Sequence, residues 1–264
     1  MNQPASPRLS RVARQRRLVD YLASVPSATA AELAALTGVS LMTVHRDIED
    51  LAHRNILRRF HGGVSVLPTS VFESSSEFRL QTQASAKAAL ARTALTFVEP
   101  GMSVMLDDST TVLALARLLN DVGPLTVITN YRQAIELLRE NDDIRLIVVG
   151  GQYSRTHDSY IAMPSHESVD SYAVDVVFQS TSTMGAEMTY HQEQEIVLMK
   201  RAMLRSGTTR VLMMDGTKVG RTSLHHYVPV GDFTDVILTD DVDPDLVERI
   251  ERLSRVHLAP VKPT

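Results

Sequence analysis

The chain has 264 residues, 44% of them hydrophobic and 22% charged, with a formal net charge of −4 and no cysteine. That length accommodates a small domain beside a full-size one, and the composition is that of an ordinary globular protein. The lack of cysteine excludes disulfides, thiolate nucleophiles and Cys-based metal sites, and no apolar run approaches the roughly 20 residues a membrane-spanning helix needs.

The charge is unevenly divided. Residues 1–66 carry nine arginines and no lysine against five acids, a net of +4, which leaves −8 on the remainder. A basic head on an acidic body fits a module that meets phosphate through one face only. The opening stretch, MNQPASPRLSRVARQRR, is basic and free of acids as a transit peptide would be, but it lacks the apolar core of a secretion signal. Its arginines run straight into Leu18, Val19, Tyr21 and Leu22, so it is read as an entry helix whose apolar side packs on the neighbouring helical hairpin.

Residues 29–63 predict a helix, a tight turn, a second helix and a basic hairpin. Thr29 and Glu32 have the spacing of a capping box, so a helix starts there. Ala34 is small where two helices meet, Gly38 supplies the positive φ of the turn, and Val39 is expected to plug that turn into the core. Ser40 can cap the second helix, which is expected to run to about Arg54. Val44, Ile48 and Leu51 form one buried stripe, leaving Met42, Thr43, His45, Arg46 and Glu49 toward solvent. The first four cluster near the helix N-terminus, where a recognition helix presents its base-reading side chains. After a strand-like Asn55-Ile-Leu, Arg58 and Arg59 precede His61 and Gly62-Gly63, the place of a wing. An ordinary helical hairpin with a solvated polar face is the plainer reading. Cap, small residue, glycine turn and basic hairpin agree on a winged helix-turn-helix over residues 1–66.

Residues 67–83 contain a proline and a triple serine and read as a linker. From 84 to 264 the pattern alternates between helices and strands. Helices are expected at Ala84–Phe97, Thr111–Leu119, Gln133–Arg139, near Glu193–Arg205, and at Asp245–Leu253. Strands are expected at Ser103–Leu106, Leu125–Thr129, Ile144–Val149, Val174–Gln179, Arg210–Met214 and Val236–Thr239. This is an α/β domain with a mostly parallel sheet and helices on both faces.

In such sheets a ligand sits beyond the carboxyl ends of the strands. The residues just past the predicted strands are Asp107 to Thr111, Asn130, Gly150-Gly151, Ser180 to Gly185, Asp215 to Lys218, and Asp240-Asp241. They favour a small, polar, anionic ligand. Ser109, Thr110 and Thr111 stand where a helix begins, so backbone N–H groups and hydroxyls can surround a phosphate. Asp107 would face sugar hydroxyls, with Lys200 and Lys218 as countercharge. Each has a structural alternative: Ser109 or Thr110 as a plain helix cap, and Gly150-Gly151 and Asp215-Gly216 as turns.

Ser40–Ile48 (SLMTVHRDI) with Leu57–Gly63 (LRRFHGG) resembles the DNA-binding signature of the DeoR family of bacterial transcriptional regulators. His45 stands where that family usually has the first of two arginines. The resemblance implies Arg46 and His45 at base edges, Thr43 on a phosphate, and Arg58, Arg59 and His61 on a wing against backbone or minor groove. Lys87, the Asp107–Thr111 loop, Thr126–Asn130, Val149–Gly151, Lys200–Met203 and Asp215–Lys218 resemble the family's effector domain, which is related in fold to ribose-5-phosphate isomerase. Here Ser109 replaces the usual glycine of the loop, and Gln179–Gly185 is more polar than is usual. For the whole chain the resemblance implies a cytoplasmic, nucleoid-associated regulator, a repressor of sugar or related carbon metabolism. It would bind double-stranded operator DNA and a phosphorylated sugar-type effector, as a homodimer or homotetramer, with no cofactor and no membrane.

An isomerase- or deaminase-like enzyme is the alternative, with Asp107, Asp108 or Glu187 as base. No spacing singles one out, so no catalytic residue is assigned. A dinucleotide sensor would need a glycine-rich first turn, which Leu106–Thr111 lacks. His157, His166, His191 and His225-His226 lack metal-ligand spacing, so no metal is expected.

Overall fold

The computed structural model describes residues 10–25, 27–53, 56–66, 76–161 and 169–261. The chain divides into two compact units, Met1–Ser75 and Ser76–Thr264.

The first unit contains α1 (Arg11–Ser24), α2 (Ala30–Thr37), α3 (Leu41–His53), β1 (Leu57–Phe60) and β2 (Gly63–Val66). Local chemistry sets each boundary. Ser10 Oγ accepts the Ala13 N–H at 3.2 Å and caps α1. The capping box is present: Thr29 N–H donates to Glu32 Oε2 at 2.7 Å, and Glu32 N–H donates to Thr29 Oγ1 at 3.2 Å. Gly38, at φ +68°, ends α2 by donating its N–H to Ala34 O at 2.9 Å. Ser40 Oγ accepts the Thr43 N–H at 3.3 Å and opens α3. Leu18, Leu22, Leu33, Val44, Ile48, Leu51, Ile56, Leu57 and Val64 bury one core. Val39 is only half-buried; Thr37 fills the turn instead, its hydroxyl donating to Leu33 O at 2.7 Å. The expected end of α3 at Arg54 and the strand start at Asn55 lie outside the described residues.

β1 and β2 pair antiparallel, and Ala28 adds a single bridge to Val64 that ties the segment before α2 to the wing. The two glycines at its tip do different things. Gly62 has φ +93°, whereas a Cβ on Gly63 would lie 3.1 Å from the Phe60 ring and 3.3 Å from Ala28 O.

The second unit opens with α4 (Ser76–Gln81) and α5 (Ala84–Leu95). Residues 76–81, expected in the linker, are therefore helical; linker residues 67–75 lie outside the described residues. The short helix has too few residues to show periodicity, and contacts to the rest of its own unit hold it, Leu80 packing on the core and Ser76 bonding to Thr156 and Tyr131. Next come β3 (Ser103–Leu106), α6 (Thr110–Leu119), β4 (Leu125–Thr129), α7 (Arg132–Leu138) and β5 (Ile144–Val148). A hairpin comes after them, β6 (Gln152–Ser154) and β7 (Ser159–Ile161), then β8 (Val174–Gln179), β9 (Thr183–Met184) and β10 (Met188–His191). The rest is α8 (Gln194–Ser206), β11 (Gly207–Met214), β12 (His225–Pro229), β13 (Asp235–Thr239), α9 (Pro244–Glu251) and β14 (Arg255–Ala259).

Seven strands form one sheet in the order β14-β13-β11-β8-β3-β4-β5, with every pair parallel. Alternation along the strands splits the core in two. Val104, Leu106, Val176, Phe178, Val211 and Met213 pack with α5, α6 and α7. Met105, Val177, Leu212, Met214, Val236 and Leu238 pack with α8, α9 and a small antiparallel sheet, β12-β10-β9. The chain runs outward from β3 to β5 and returns to β8 on the other side of β3, so the order reverses between β3 and β8. In open parallel sheets such a reversal, at the carboxyl ends of the two strands, is where a ligand crevice is expected.

Candidate nucleic-acid interface and effector cleft

On α3 the buried side chains are Val44, Asp47, Ile48 and Leu51, while Leu41, Met42, His45, Arg46 and Glu49 are exposed. Thr43 is half-buried, its hydroxyl 2.9 Å from Ser40 Oγ, so both residues shape the helix start. Arg58, Arg59 and His61 are exposed on the wing, and the Arg58 guanidinium lies over the Phe60 ring at 5.9 Å. An exposed cationic hairpin beside an exposed polar helix edge is the arrangement that meets a duplex.

Asp47 is a residue the motif reading passed over. It is 2% exposed and accepts from Arg14 Nε at 2.5 Å, Arg14 Nη2 at 3.1 Å and Gln15 Nε2 at 3.3 Å. The pair fastens α1 to α3, and the shared charge and hydrogen bond raise the Arg14 pKa against the opposing effect of burial. The signal was present, since Asp47 lies on the same stripe as Val44 and Leu51.

In the second unit the crevice between β3 and β8 is filled by protein charges. Asp107, 1% exposed, accepts the Ser109 N–H at 3.0 Å, the Ser180 N–H at 2.9 Å and the Lys200 ammonium at 2.5 Å. Lys200 Nζ also lies 3.2 Å from Asp108 Oδ1, and Asp108 Oδ2 accepts the Ser159 hydroxyl at 2.8 Å. Burial alone would push Asp108 up, but Lys200, His157 and the Ser159 hydrogen bond hold it well below the usual carboxylate range. Burial alone would push Lys200 down; Asp107 and Asp108 outweigh it and raise its pKa.

Two residues expected at the ligand are thus engaged with protein partners. Asp107 accepts from two backbone amides and a lysine, which ties the loop after β3 to the end of β8 and to α8. Lys200 is 3% exposed and its charge is already balanced, so it is not spare countercharge. The same commitment leaves Asp107 and Asp108 poorly placed as the free base an isomerase-like reaction needs.

The other strand-end residues are distributed around this ion cluster. Ser109 caps α6, its Oγ accepting the Val112 N–H at 3.0 Å, which is the structural alternative weighed for it. Thr110 and Thr111 are buried, and Thr111 Oγ1 has no hydrogen-bond partner. Asn130 donates its amide to Tyr160 O at 3.0 Å, while its buried Oδ1 accepts nothing. Gly150 and Gly151 are exposed and lead from the edge strand β5 into the β6–β7 hairpin. That hairpin folds back over Asn130 and Asp108 and is pinned by Asp158, which accepts from Arg132 at 2.6 and 2.8 Å, Gln133 at 3.0 Å and Tyr153 at 2.6 Å. Asp215 caps a short turn at Gly216–Lys218, accepting the Thr217 N–H at 3.2 Å, and sits 3.6 Å from Lys218 Nζ. Lys218 keeps 27% of its side chain exposed.

The cation that sequence reasoning quoted without assigning is Lys87. It lies on α5 with Leu90, Ala91 and Ala94 at helical spacing, so it falls on the buried stripe. Its ammonium donates to Arg79 O and, at 2.9 Å, to Thr82 O, the carbonyls at the end of α4. Burial, then the neighbouring charge of Lys218, lower its pKa to about 7, against the pull of Asp215. Lys87 also lines a cavity of about 310 Å³ together with Leu80, Arg92, Thr110, Arg117 and Leu118. At the other end of α4, Ser76 N–H donates to Thr156 O at 2.7 Å and Ser76 Oγ lies 2.7 Å from the buried Tyr131 hydroxyl. Arg79 Nη2 reaches His157 Nδ1 at 3.5 Å. Thus α4, the first element after the connecting segment, rests on residues of the crevice and its covering hairpin.

A helix-turn-helix with a basic wing, followed in the chain by a parallel α/β sheet whose strand order reverses between β3 and β8, is the make-up of a DNA-binding regulator with a second, sensing domain. Residues 14–70 match the DeoR-like helix-turn-helix domain and residues 82–241 match the DeoR C terminal sensor domain. The chain belongs to the DeoR family and is a DNA-binding transcriptional regulator, not an enzyme. It is similar to the uncharacterized HTH-type transcriptional regulator YulB of Bacillus subtilis (strain 168), 30% identical over 90% of this chain and 92% of that protein. Similar too are the HTH-type transcriptional repressor GlcR of the same organism, 29% identical over 84% of this chain and 86% of the relative, and the putative aga operon transcriptional repressor of Escherichia coli O157:H7, 25% identical over 90% of each. Among solved structures, ribose 5-phosphate isomerase A from Methanocaldococcus jannaschii aligns with 16% identity and a TM-score of 0.37 over 51% of this chain and 53% of that one, a likeness too slight to bear on function.

Proposed function

We propose that this protein is a cytoplasmic, nucleoid-associated repressor of sugar or related carbon metabolism whose hold on operator DNA is set by a phosphorylated sugar-type metabolite. Relatives named as aga operon repressor and as the repressor GlcR support the metabolic assignment. Ser40, Met42, Thr43, His45 and Arg46 would dock the recognition helix, and Arg58, Arg59 and His61 the wing. The effector would lie at the strand ends, its anion toward Lys218, Lys87 and the hydroxyls of Thr110 and Thr111. The unpaired Asn130 Oδ1 would accept from a sugar hydroxyl.

The observation that carries this reading is the double engagement of Lys87, whose ammonium holds the end of α4 while the residue lines the cavity it shares with Thr110 and Arg117. An anion arriving beside Lys87 competes with the Arg79 and Thr82 carbonyls for its protons. The seat of α4 then changes, and α4 leads by way of residues 67–75 toward the DNA-binding unit. Ligand and operator affinities are thereby linked. A homodimer or homotetramer fits the reading of two half-sites at once. Gel-shift titration of the protein's own upstream region against a panel of sugar phosphates tests the reading: one compound should move the binding curve, and indifference to all of them would refute the effector half.

A further inference from the structure

The recognition helix offers DNA one feature that hydrogen bonding does not explain. Leu41 and Met42 are 51% and 64% exposed at the first two positions of α3, in a unit whose other apolar side chains on α3 are buried or half-buried. Their placement on the helix differs. With about 100° of rotation per residue, the buried stripe of Val44, Asp47, Ile48 and Leu51 has its midpoint almost opposite Met42. Leu41 falls on the flank. Met42 therefore lies at the centre of the outward edge, with His45 and Arg46 one turn further along at i+3 and i+4 and Glu49 at i+7.

A flexible thioether in that position has no donor to offer a phosphate or a base edge. Among the groups on the floor of the major groove, the one that protrudes as an apolar contact surface is the 5-methyl of thymine. We infer that Met42 reads a thymine methyl group in each operator half-site, so that part of the sequence discrimination is apolar. The inference rests on the DNA-binding role of α3. It also compensates locally for His45, which cannot make the forked guanine contact of an arginine.

Spacing adds a constraint. Met42 and Arg46 are four residues apart, about 6 Å along the helix at 1.5 Å per residue, against about 3.4 Å per base pair. The thymine would thus lie within one or two base pairs of the base edge that Arg46 engages.

The test begins with selection of a preferred duplex from a random library by the full chain, followed by replacement of each thymine in that duplex, one at a time, by deoxyuridine. Uracil keeps every hydrogen-bonding group and loses only the methyl. At one thymine per half-site the replacement should weaken binding by the intact protein about fourfold, with the salt slope unchanged. Met42→Ala should bind the thymine duplex correspondingly less well and be indifferent to the replacement, whereas Met42→Leu should keep part of the sensitivity. Tolerance of deoxyuridine at every position, with changes below about 1.5-fold, would overturn the inference, as would a Met42→Ala variant as sensitive as the parent. Failure to enrich any duplex would instead remove the DNA-reading role itself, which separates the two failures.

Discussion

Arg14 and Asp47 form a two-point ion pair, 2.5 Å and 3.1 Å, that fixes the entry helix against the recognition helix from its buried side. The aspartate in the motif is thus buried within the fold, where it holds α1 against α3. Removing one partner leaves a largely buried charge unpaired. Asp47→Ala should lower stability in urea denaturation of the full chain by about 3 kcal/mol, and the apolar double replacement Arg14→Met with Asp47→Leu should regain most of that loss. A loss below about 1 kcal/mol for the single variant would show the pair to be ornamental.

The wing should display a specific dependence between two positions. Gly63→Ala would press a methyl group against the Phe60 ring, 3.1 Å away. Phe60 also underlies Arg58. Gly63→Ala should reduce affinity for any duplex several-fold, and adding Phe60→Leu should restore part of it by making room. Gly62→Ala, strained at φ +93° with nothing nearby, should not be relieved by the second change. Anisotropy titrations on cognate and random duplexes distinguish these patterns.

Arg46 and Arg58 are exposed on different elements, and their losses should differ in kind. Arg46→Ala should narrow the gap between cognate and random DNA, at a cost of about 1–3 kcal/mol on the cognate site. Arg58→Ala should weaken both duplexes alike and lower the salt slope by about one. Equal losses on both duplexes for both variants would remove the distinction between base-reading edge and wing.

Lys87 carries a pH signature. Its pKa is about 7 in the folded protein against an ordinary 10.5, lowered first by burial and then by Lys218. Between those values the unfolded chain binds the extra proton, so this residue's contribution makes stability rise with pH from about 7 to 10.5 and fall as pH drops through that window. Lys87→Met should flatten that dependence in parallel melts. An anion bound beside the ammonium would restore the proton, so binding near pH 8 should take up protons, seen as a calorimetric heat that varies with buffer ionisation enthalpy. Equal heats in all buffers would place the anion elsewhere.

The elements easiest to infer from sequence were those with strong periodicity or end signals. β3, β4 and β8 occur at the residues expected, because each is a short, largely apolar run rich in β-branched or large hydrophobic residues. The strands that escaped notice are short and mixed. β14 lies at the sheet edge with Leu258 exposed, and β10 and β12 intersperse His, Thr and Tyr with apolar residues. Strand ends pointed to this region, but spacing alone could not reveal that Lys200 pairs with both Asp107 and Asp108. That needed α8 to be brought across β8 to β3. Asp47 and Lys87 were recoverable in principle, since each occupies a buried stripe where a charge demands a partner.

If the strand-end crevice and the recognition helix share one free energy, ligand and DNA must each alter the other's binding. Calorimetric titration of the sugar phosphate most effective in the gel-shift panel reads this coupling, first into the full chain alone and then into the chain saturated with its upstream operator duplex. DNA should change the ligand's affinity by the same factor by which the ligand changes the DNA's, about 5- to 150-fold. Identical ligand affinities with and without DNA, or no binding by any sugar phosphate in either state, would contradict the coupling.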